Sequence, residues 1–164
     1  MARKLLAARS LLWPSLVAVA FASFYVVTQP GPLDYNDAYD YDHLAKSILQ
    51  GRYELSDDYK SPPLPTMQRE PGYPAFRAAI YAIAGDRPNI ILWIQALLAG
   101  ITVLLTGLTV RRLDNRWSLP VAWLVALYPG FAVWTGQHYS EIFAAFLVAP
   151  AAYVWVRLWE ARDA

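Results

Sequence analysis

The chain alternates between long apolar runs and one extended polar stretch. We predict four membrane-spanning helices, over about residues 11–28, 88–110, 117–137 and 141–159. A helix needs about 20 mainly apolar residues to cross the hydrocarbon core of a bilayer, with a range of about 17 to 25. Polar and charged residues concentrate between the first two runs, over residues 29–87. The pattern therefore predicts an all-α integral membrane protein, a single domain over residues 1–164, with one long first loop.

The first apolar run has two interpretations. It follows the basic residues Arg3, Lys4 and Arg9, which suit both a membrane anchor and a cleaved signal peptide. The run is long, however, and its end, SFYVVTQP, lacks the small-x-small pattern of a cleavage site. We therefore favour an uncleaved anchor over a signal peptide.

Periodicity within the polar loop predicts two short amphipathic helices. The first begins near Asn36, presents Tyr41, Leu44, Ala45 and Ile48 on one face, and ends at Gly51. The prolines between Ser61 and Thr66 predict extended backbone, because a proline restricts the residue before it. A second helix then begins at Pro74, in the first-turn position that proline favours, and ends before Gly85. Both helices are too short to span, so we expect them at the membrane surface.

Asp37 is the candidate reactive residue of the first of these helices. On a helical wheel it falls in the middle of the apolar face, whereas Asp40 lies at the edge and Asp42 points away. A carboxylate facing a packed surface is costly unless it is paired or used in chemistry. The alternative role is an N-cap, in which Asp37 accepts hydrogen bonds from free backbone N–H groups. The two roles are compatible with each other.

A second polar site separates the third and fourth apolar runs, in the segment TGQHYSEIF. His138 and Glu141 are three residues apart and share one side if this turn is helical. Such a pair is compatible with a divalent cation, with a phosphate-linked group or with a simple hydrogen bond. The simpler interpretation is an ordinary solvated turn, because metal sites usually need more ligands.

Composition and charge narrow the class of protein. The chain is 57% hydrophobic and 16% charged, which is typical of membrane proteins, and its net charge of +1 does not indicate a nucleic-acid partner. It has no cysteine, which excludes disulfides, thiolate metal sites and cysteine nucleophiles. Basic residues cluster before the first, between the second and third, and after the fourth apolar run. The positive-inside rule therefore predicts two cytoplasmic termini and an external first loop.

Several sequence blocks resemble a known family. Residues from Asp37 to Gly51 fit the pattern D-x-x-x-Y-x-x-x-A-x-x-x-L-x-G, and residues from Arg69 to Gly85 fit R-x-P-G-Y-P-x-F-x-A-x-I-Y-x-I-x-G. The motifs QALL at residues 95–98 and ALYP at residues 126–129 follow in the same order. This series resembles the N-terminal part of GT-C glycosyltransferases, in particular bacterial members related to protein mannosyltransferases and aminoarabinose transferases.

The resemblance implies a function. Members of this family use a polyprenyl-phosphate sugar as donor and transfer the sugar to a hydroxyl of a lipid, glycan or protein on the external face of a plasma membrane, here of a bacterium or an archaeon. The family's acidic residue of the first loop acts as a general base or as a metal-linked orienter, and this role falls on Asp37. Arg69 would meet the lipid phosphate. The expected substrate-binding residues are Arg69, Glu70, Tyr73, Tyr41 and Gln137. The family's second acidic position falls nearest Glu141, beside His138, the pair considered above for a divalent cation.

The resemblance also gives spatial and chemical expectations. We expect Asp37 and Arg69 to lie close together in space. One attack assisted by one base predicts inversion at the anomeric carbon. Family members have many more spans, so we expect this chain to correspond to their N-terminal module.

Two other functions compete with this one. A non-catalytic membrane subunit that binds a lipid-linked glycan, or that accompanies a larger enzyme, would agree with the short chain. A small lipid or glycan transporter is the least favoured, because a transporter needs polar groups at membrane depth. The second and third predicted spans offer few such groups: Gln95, Thr102, Thr106 and Thr135.

Overall fold

The computed structural model describes residues 10–33, 36–56 and 61–162, so the predicted basic cluster of Arg3, Lys4 and Arg9 lies outside the described residues. The described chain is mostly helical. Its helices are α1 (Leu12–Thr28), α2 (Asn36–Leu49), α3 (Gly72–Ala84), α4 (Pro88–Leu113), α5 (Asn115–Ala126), α6 (Pro129–Thr135) and α7 (Glu141–Arg162). Two short strands, β1 (Glu54–Leu55) and β2 (Leu64–Pro65), form a small antiparallel hairpin between α2 and α3.

Two helices, α4 and α7, are long and apolar enough to cross a membrane. The pair α5 and α6 makes a third candidate if the two are counted as one bent span. Helix α1 is apolar but has only 17 residues, near the lower limit of about 17 for a spanning helix. By length and composition, the described residues therefore contain two to three candidate membrane-spanning helices, which suggests a membrane protein.

The third predicted span, residues 117–137, is broken rather than continuous. Helix α5 ends at Ala126, α6 begins at Pro129, and the two are bent by 51°. Between them, Tyr128 has φ −68° and ψ 113°. This is the extended backbone that a proline imposes on the residue before it. The ALYP motif therefore breaks the helix, an effect that the hydropathy of the run conceals.

Helix α4 is the centre of the bundle and contacts α1, α5 and α7. Glycine allows the closest of these approaches. A Cβ atom added at Gly100 would lie 2.4 Å from Val19 Cγ2 and 3.0 Å from the carbonyl oxygen of Ser15, both on α1. Small residues at helix crossings let two backbones come together and increase their van der Waals contact. The α1–α4 crossing therefore depends on the missing side chain at Gly100.

Helices α4 and α7 run in the same direction. Near their last turns, Arg112 Nη1 donates to Glu160 Oε2 at 2.5 Å. Near their first turns, Ile91 of α4 and Phe143 of α7 both pack against one cluster formed with the polar loop. The polar loop therefore folds over the end of the bundle where α4 and α7 begin.

The two predicted loop helices are confirmed as α2 and α3. Gly51 follows α2 with φ +74°, a left-handed conformation that glycine adopts without strain. Helix α3 begins at Gly72, two residues before the predicted start at Pro74. The two helices share a buried core with α4, made of Tyr41, Ala45, Tyr73, Ala78, Tyr81 and Ile91. This core holds the start of α2 against the turn that precedes α3.

Candidate functional site

Arg69 joins two carboxylates in the first turns of α2. Its Nη2 donates to Asp37 Oδ1 at 2.5 Å and to Asp40 Oδ2 at 2.8 Å, and its Nε donates to Asp40 Oδ2 at 2.9 Å. Arg69 lies in the turn just before α3, and the α2–α3 core brings that turn to the start of α2. The predicted proximity of Asp37 and Arg69 is therefore confirmed.

The two carboxylates differ in exposure. The Asp40 side chain is 9% exposed and the Asp37 side chain is 47% exposed. Asp40, predicted at the edge of the apolar face, is thus a buried anchor for the guanidinium. Asp37, predicted in the middle of that face and toward the packed side, is instead half-exposed, so it is oriented by Arg69 but open to solvent. A carboxylate that is both oriented and accessible can accept a proton from a bound hydroxyl.

Aromatic rings form the floor beneath Arg69. The guanidinium carbon lies 5.7 Å from the centre of the Tyr41 ring, within the range of a cation–π contact. Tyr41 meets Tyr73 edge to face at 4.9 Å, and its hydroxyl lies 3.4 Å from Ser140 Oγ. Ser140 precedes α7, so these rings link the loop helices to the polar segment TGQHYSEIF between α6 and α7. Arg69 is therefore held by the Tyr41 ring as well as by the carboxylates of Asp37 and Asp40.

Beside this floor lies a cavity that we call the α7 pocket. It has a volume of about 220 Å³ and is lined by Tyr41, Glu70, Tyr73, Ser140, Phe143, Ala144 and Leu147. Three of the predicted substrate-binding residues, Tyr41, Glu70 and Tyr73, therefore share one cavity. The remaining lining is mostly apolar and belongs to the first two turns of α7, a candidate membrane span. The cavity thus extends from Glu70, next to Arg69 in the chain, to a candidate membrane-spanning helix.

A second cavity, the hairpin pocket, opens on the other side of the same turn. It has a volume of about 350 Å³ and is lined by Tyr53, Thr66, Met67, Arg69, Glu70 and Pro71. The Tyr53 hydroxyl donates to the carbonyl oxygen of Arg69 at 2.8 Å, which ties the hairpin to the turn. Glu70 lines both cavities and therefore forms the ridge between them.

Behind this site lies a buried ionic network that the sequence pattern did not predict. Arg77 Nη2 donates to Asp42 Oδ1 at 2.6 Å and to the Tyr81 hydroxyl at 2.8 Å, and that hydroxyl donates to Asp42 Oδ1 at 2.5 Å. Asp42 was predicted to point away from the packed side, and this is wrong. Helix α3 packs against the apolar face of α2 and also reaches Asp42 through Arg77 and Tyr81, so Asp42 is buried as well. The available signal was the spacing of Arg77 and Tyr81, which are one helical turn apart.

Burial and neighbouring charges shift the pKa values of Asp42 and His138 in this network. Burial would raise the pKa of Asp42, but hydrogen bonds from Lys46 and Tyr81 and the charge of Arg77 lower it below its usual value. Burial, together with the charge of Arg77, lowers the pKa of His138 to about 4. At neutral pH the network therefore contains an ionised Asp42 and a neutral His138.

The structure separates the roles of His138 and Glu141. His138 is buried, and its Nδ1 lies 3.3 Å from Arg77 Nη1. Since arginine can only donate, Nδ1 accepts this hydrogen bond. Glu141 is exposed at the first residue of α7. In the part of the chain that the structure describes, no group of three or more His, Asp or Glu side chains is placed to hold a metal ion. The geometry therefore favours a structural hydrogen bond for His138 over metal binding.

Gln137 belongs to a different set of contacts from the Arg69 cluster. Its side-chain amide lies against Gly31, and its carbonyl oxygen accepts from Gln95 Nε2 at 2.8 Å. Gln95 is fully buried in α4, also donates to the Thr135 carbonyl at 3.0 Å, and accepts from the Tyr73 hydroxyl at 2.5 Å. Gln95 thus satisfies carbonyl groups that the end of α6 leaves unpaired, and it positions Tyr73 beneath the site.

Comparisons of this chain with protein-family profiles, with curated proteins and with solved structures found no match. The function is therefore inferred from the residues of this chain and their geometry.

Proposed function

We propose that the chain is a membrane glycosyltransferase, or a module of one, that transfers a sugar from a polyprenyl-phosphate donor to an acceptor hydroxyl. The observation that carries this proposal is the cluster of Asp37, Arg69 and Asp40. It combines an accessible carboxylate with an anchored guanidinium beside an apolar cavity. A donor with a lipid chain, a phosphate and a sugar needs these three environments next to one another.

In this proposal the chain crosses the membrane four times, through α1, α4, the bent pair α5–α6, and α7, in a GT-C-like arrangement. The loop with α2, the hairpin and α3 lies on the external face, and both termini are cytoplasmic. The distribution of charge supports this orientation. The bundle end that carries Arg112 and Glu160 also carries Arg111 and Arg157, whereas the loop over the other end is rich in carboxylates.

The donor enters with its lipid chain toward α7. The α7 pocket accommodates the first isoprene units against Phe143, Ala144 and Leu147. Arg69 meets the phosphate through a charge-assisted hydrogen bond, the strongest kind that a guanidinium makes with an anion. Asp40 keeps the guanidinium in place during this exchange, because it holds both Nε and Nη2. Binding of the phosphate at Nη2 releases Asp37 from its own bond to that atom.

Transfer then requires one base and one leaving group. The acceptor hydroxyl oxygen attacks the anomeric carbon, and Asp37 takes its proton. The bond between the anomeric carbon and the phosphate oxygen breaks, and its electron pair stays on the lipid phosphate. Arg69 stabilises that developing charge. A single displacement inverts the configuration at the anomeric carbon.

The test is sugar transfer from polyprenyl-phosphate donors by the purified full chain in lipid nanodiscs. Because a positioned base contributes about 10²- to 10⁴-fold to rate, we expect Asp37→Asn to lower transfer at least about 100-fold. The matched control is Asp86→Asn. Asp86 is a carboxylate in the turn just before α4, and it pairs with Lys46 rather than with Arg69. Equal activity of the Asp37→Asn and native chains would contradict the assignment of Asp37 as the general base.

The same preparation distinguishes the proposed enzyme from the alternative, a non-catalytic subunit that binds a lipid-linked glycan. Donor binding without turnover, unchanged by Asp37→Asn, would favour that alternative. Adding a chelator to the assay tests whether transfer needs a divalent cation. Loss of transfer that Mg²⁺ or Mn²⁺ restores would assign a cation to the reaction.

A further inference from the structure

We infer that the hairpin pocket is a carbohydrate subsite, which receives one or two sugar rings of a glycan acceptor. The assignment of this sugar as the acceptor rests on the proposed transfer reaction, but binding of a carbohydrate in the pocket does not. The volume of about 350 Å³ falls at the small end of the range of about 300 to 1,000 Å³ for ligand pockets. That size suits one or two sugar rings and is too small for a folded partner, and the polar residues Thr66, Arg69 and Glu70 of the lining disfavour a lipid chain.

The lining has the chemistry that recognises sugars. Tyr53 offers an aromatic ring, with a polar hydroxyl at one end, against which the C–H face of a sugar can pack. Glu70 offers a carboxylate that accepts hydrogen bonds, and Thr66 offers a hydroxyl that can donate or accept them. Sugar hydroxyls can therefore pair with an acceptor and with a donor in this pocket. Hydrogen bonds to an ionised group are stronger than neutral ones and fix the orientation of a hydroxyl. The pocket therefore pairs an apolar plate with a charged edge.

The aromatic plate is held in place before any ligand arrives. The Tyr53 hydroxyl donates to the Arg69 carbonyl at 2.8 Å, and the Thr66 amide donates to the Tyr53 carbonyl at 3.2 Å. The Glu54 amide, next in the chain, donates to Ser47 Oγ on α2 at 3.0 Å. A ring fixed by these contacts loses little entropy when a ligand packs on it. The small hairpin thus acts as a rigid wall.

The position of the pocket relates it to Asp37. Arg69 lines the hairpin pocket and also donates to Asp37 Oδ1, and Glu70 separates this pocket from the α7 pocket. The α7 pocket is lined by Tyr41, whose ring lies 5.7 Å from the Arg69 guanidinium carbon, so a donor there and a glycan in the hairpin pocket would both lie near Arg69. A sugar hydroxyl at the edge of the hairpin pocket lies beside the proposed base.

The hairpin disfavours an extended peptide as the occupant. A peptide usually binds a sheet edge by adding a strand, which requires backbone N–H groups on that edge. The segment that contains β2 carries three prolines, Pro62, Pro63 and Pro65, and a proline has no N–H to donate. A protein acceptor is therefore the weaker candidate for this pocket.

Met67 reports the occupancy of the pocket directly. It is 98% exposed, it lines the pocket, and it is one of two methionines in the chain. Its oxidation by peroxide can be followed by mass spectrometry of the full chain in nanodiscs. The probes are neutral disaccharides of glucose, mannose, galactose and N-acetylglucosamine, with glycerol at equal hydroxyl concentration as control. At a sugar concentration of about twice Kd, we expect about threefold slower oxidation of Met67, because one third of the sites stay empty.

Variants of Tyr53 test the aromatic plate. Tyr53→Phe keeps the ring but loses the hydrogen bond to the Arg69 carbonyl, so it should keep part of the protection of Met67, whereas Tyr53→Leu should abolish it. The matched control is Tyr128→Leu, an exposed tyrosine outside the pocket, with circular dichroism to verify that each variant is folded. Equal protection in the Tyr53→Leu and native chains would overturn the proposed stacking.

The outcomes separate this inference from the proposed function. Transfer that depends on Asp37, without protection of Met67 by any disaccharide, overturns the subsite and leaves the reaction standing. Protection without transfer supports the subsite and contradicts the reaction. Stronger protection by a Ser- and Thr-containing peptide than by all four sugars overturns the subsite in favour of a protein acceptor.

Discussion

Arg77 and Asp42 form an ion pair that water hardly reaches. Arg77 Nη2 lies 2.6 Å from Asp42 Oδ1, and the two side chains are 0% and 5% exposed. One partner belongs to α3 and the other to α2, so the pair fixes the two helices that carry the candidate site. Removing one partner of a buried ion pair is costly because the other charge stays buried, whereas replacing both by apolar groups can be nearly neutral.

We therefore expect Arg77→Met to lower the free energy of unfolding by about 3 kcal/mol, near the lower end for a broken buried pair because Lys46 still contacts Asp42. The double variant Arg77→Met with Asp42→Leu should recover most of this loss. Denaturant unfolding in detergent micelles measures both. The matched control is Arg52→Met, an exposed arginine 3.7 Å from Glu54, which should change stability by about 0.5 kcal/mol or less. Equal losses in the two single variants would contradict a special role for Arg77.

His138 makes stability depend on pH in a defined window. Its pKa in the folded chain is about 4, below its ordinary value of 6.5, because of burial and the charge of Arg77. At a pH between these two values, His138 is mostly protonated in the unfolded chain and mostly neutral in the folded chain. The contribution of His138 is therefore complete above pH 6.5 and is lost as the pH falls toward 4. We expect a loss of about 2 kcal/mol at pH 5 relative to pH 7.

Thermal unfolding at pH 7, 6 and 5 tests this expectation. His138→Gln should remove most of the pH dependence in this window. His43→Gln is the matched control, because His43 is the other histidine and is exposed on α2. The pKa of Asp42 is lowered, so its carboxylate loses its contribution only below its ordinary value of 3.8, outside the window. A slope that survives in His138→Gln would show that another group titrates there.

Gln95 should be the most sensitive polar position of α4. Gln95→Leu removes one acceptor for the Tyr73 hydroxyl and two donors to the carbonyls of Thr135 and Gln137. Each buried group left without a partner costs about 1 to 3 kcal/mol, so we expect a total loss of about 3 kcal/mol or more. Thr102→Val is the control, because the Thr102 hydroxyl donates to the Leu98 carbonyl of its own helix rather than to another segment among the described residues. Thermal unfolding in micelles compares them, and similar melting temperatures for the two variants would contradict this assignment.

Gly100 should tolerate no side chain. A Cβ at this position would meet Val19 and the backbone carbonyl of Ser15, so Gly100→Ala must push α1 away from α4. We expect a loss of about 1 to 3 kcal/mol, as for other overpacked positions. Gly72→Ala is the matched control, because nothing lies within 4 Å of its Cβ position. Denaturant unfolding of both variants measures the difference. An unchanged midpoint for Gly100→Ala would show that α1 can shift without cost.

Local features of the chain predicted much of the secondary structure. The apolar runs predicted α1, α4 and α7, and the period of Tyr41, Leu44 and Ala45 predicted α2. Such features are readable because hydropathy and helical period act over a few neighbouring residues. The break at Tyr128 was readable as well, since proline restricts its predecessor, but hydropathy alone does not register it.

Of the residues of the candidate site, some were predicted from the sequence and others were found only in the structure. Asp37 was identified from its place on one helix, and Arg69 from a resemblance between short blocks. The burial of Asp42 was not predictable, because a helical wheel does not show how far around α2 the contact with α3 extends, and Asp42 meets Arg77 and Tyr81 of α3. The charge on Arg77 likewise argued against burial until its partners were known.

The sequence by itself therefore determined the helices, the polar loop and the residues able to bind a phosphate or accept a proton. The tertiary structure decided which of them meet. Arg69 reaches Asp37 across 32 positions, and Arg77 reaches His138 across 61. Contacts over such distances depend on how the faces of α2, α3 and α7 pack together. That packing is a property of several segments at once, and no local pattern within one of them specifies it.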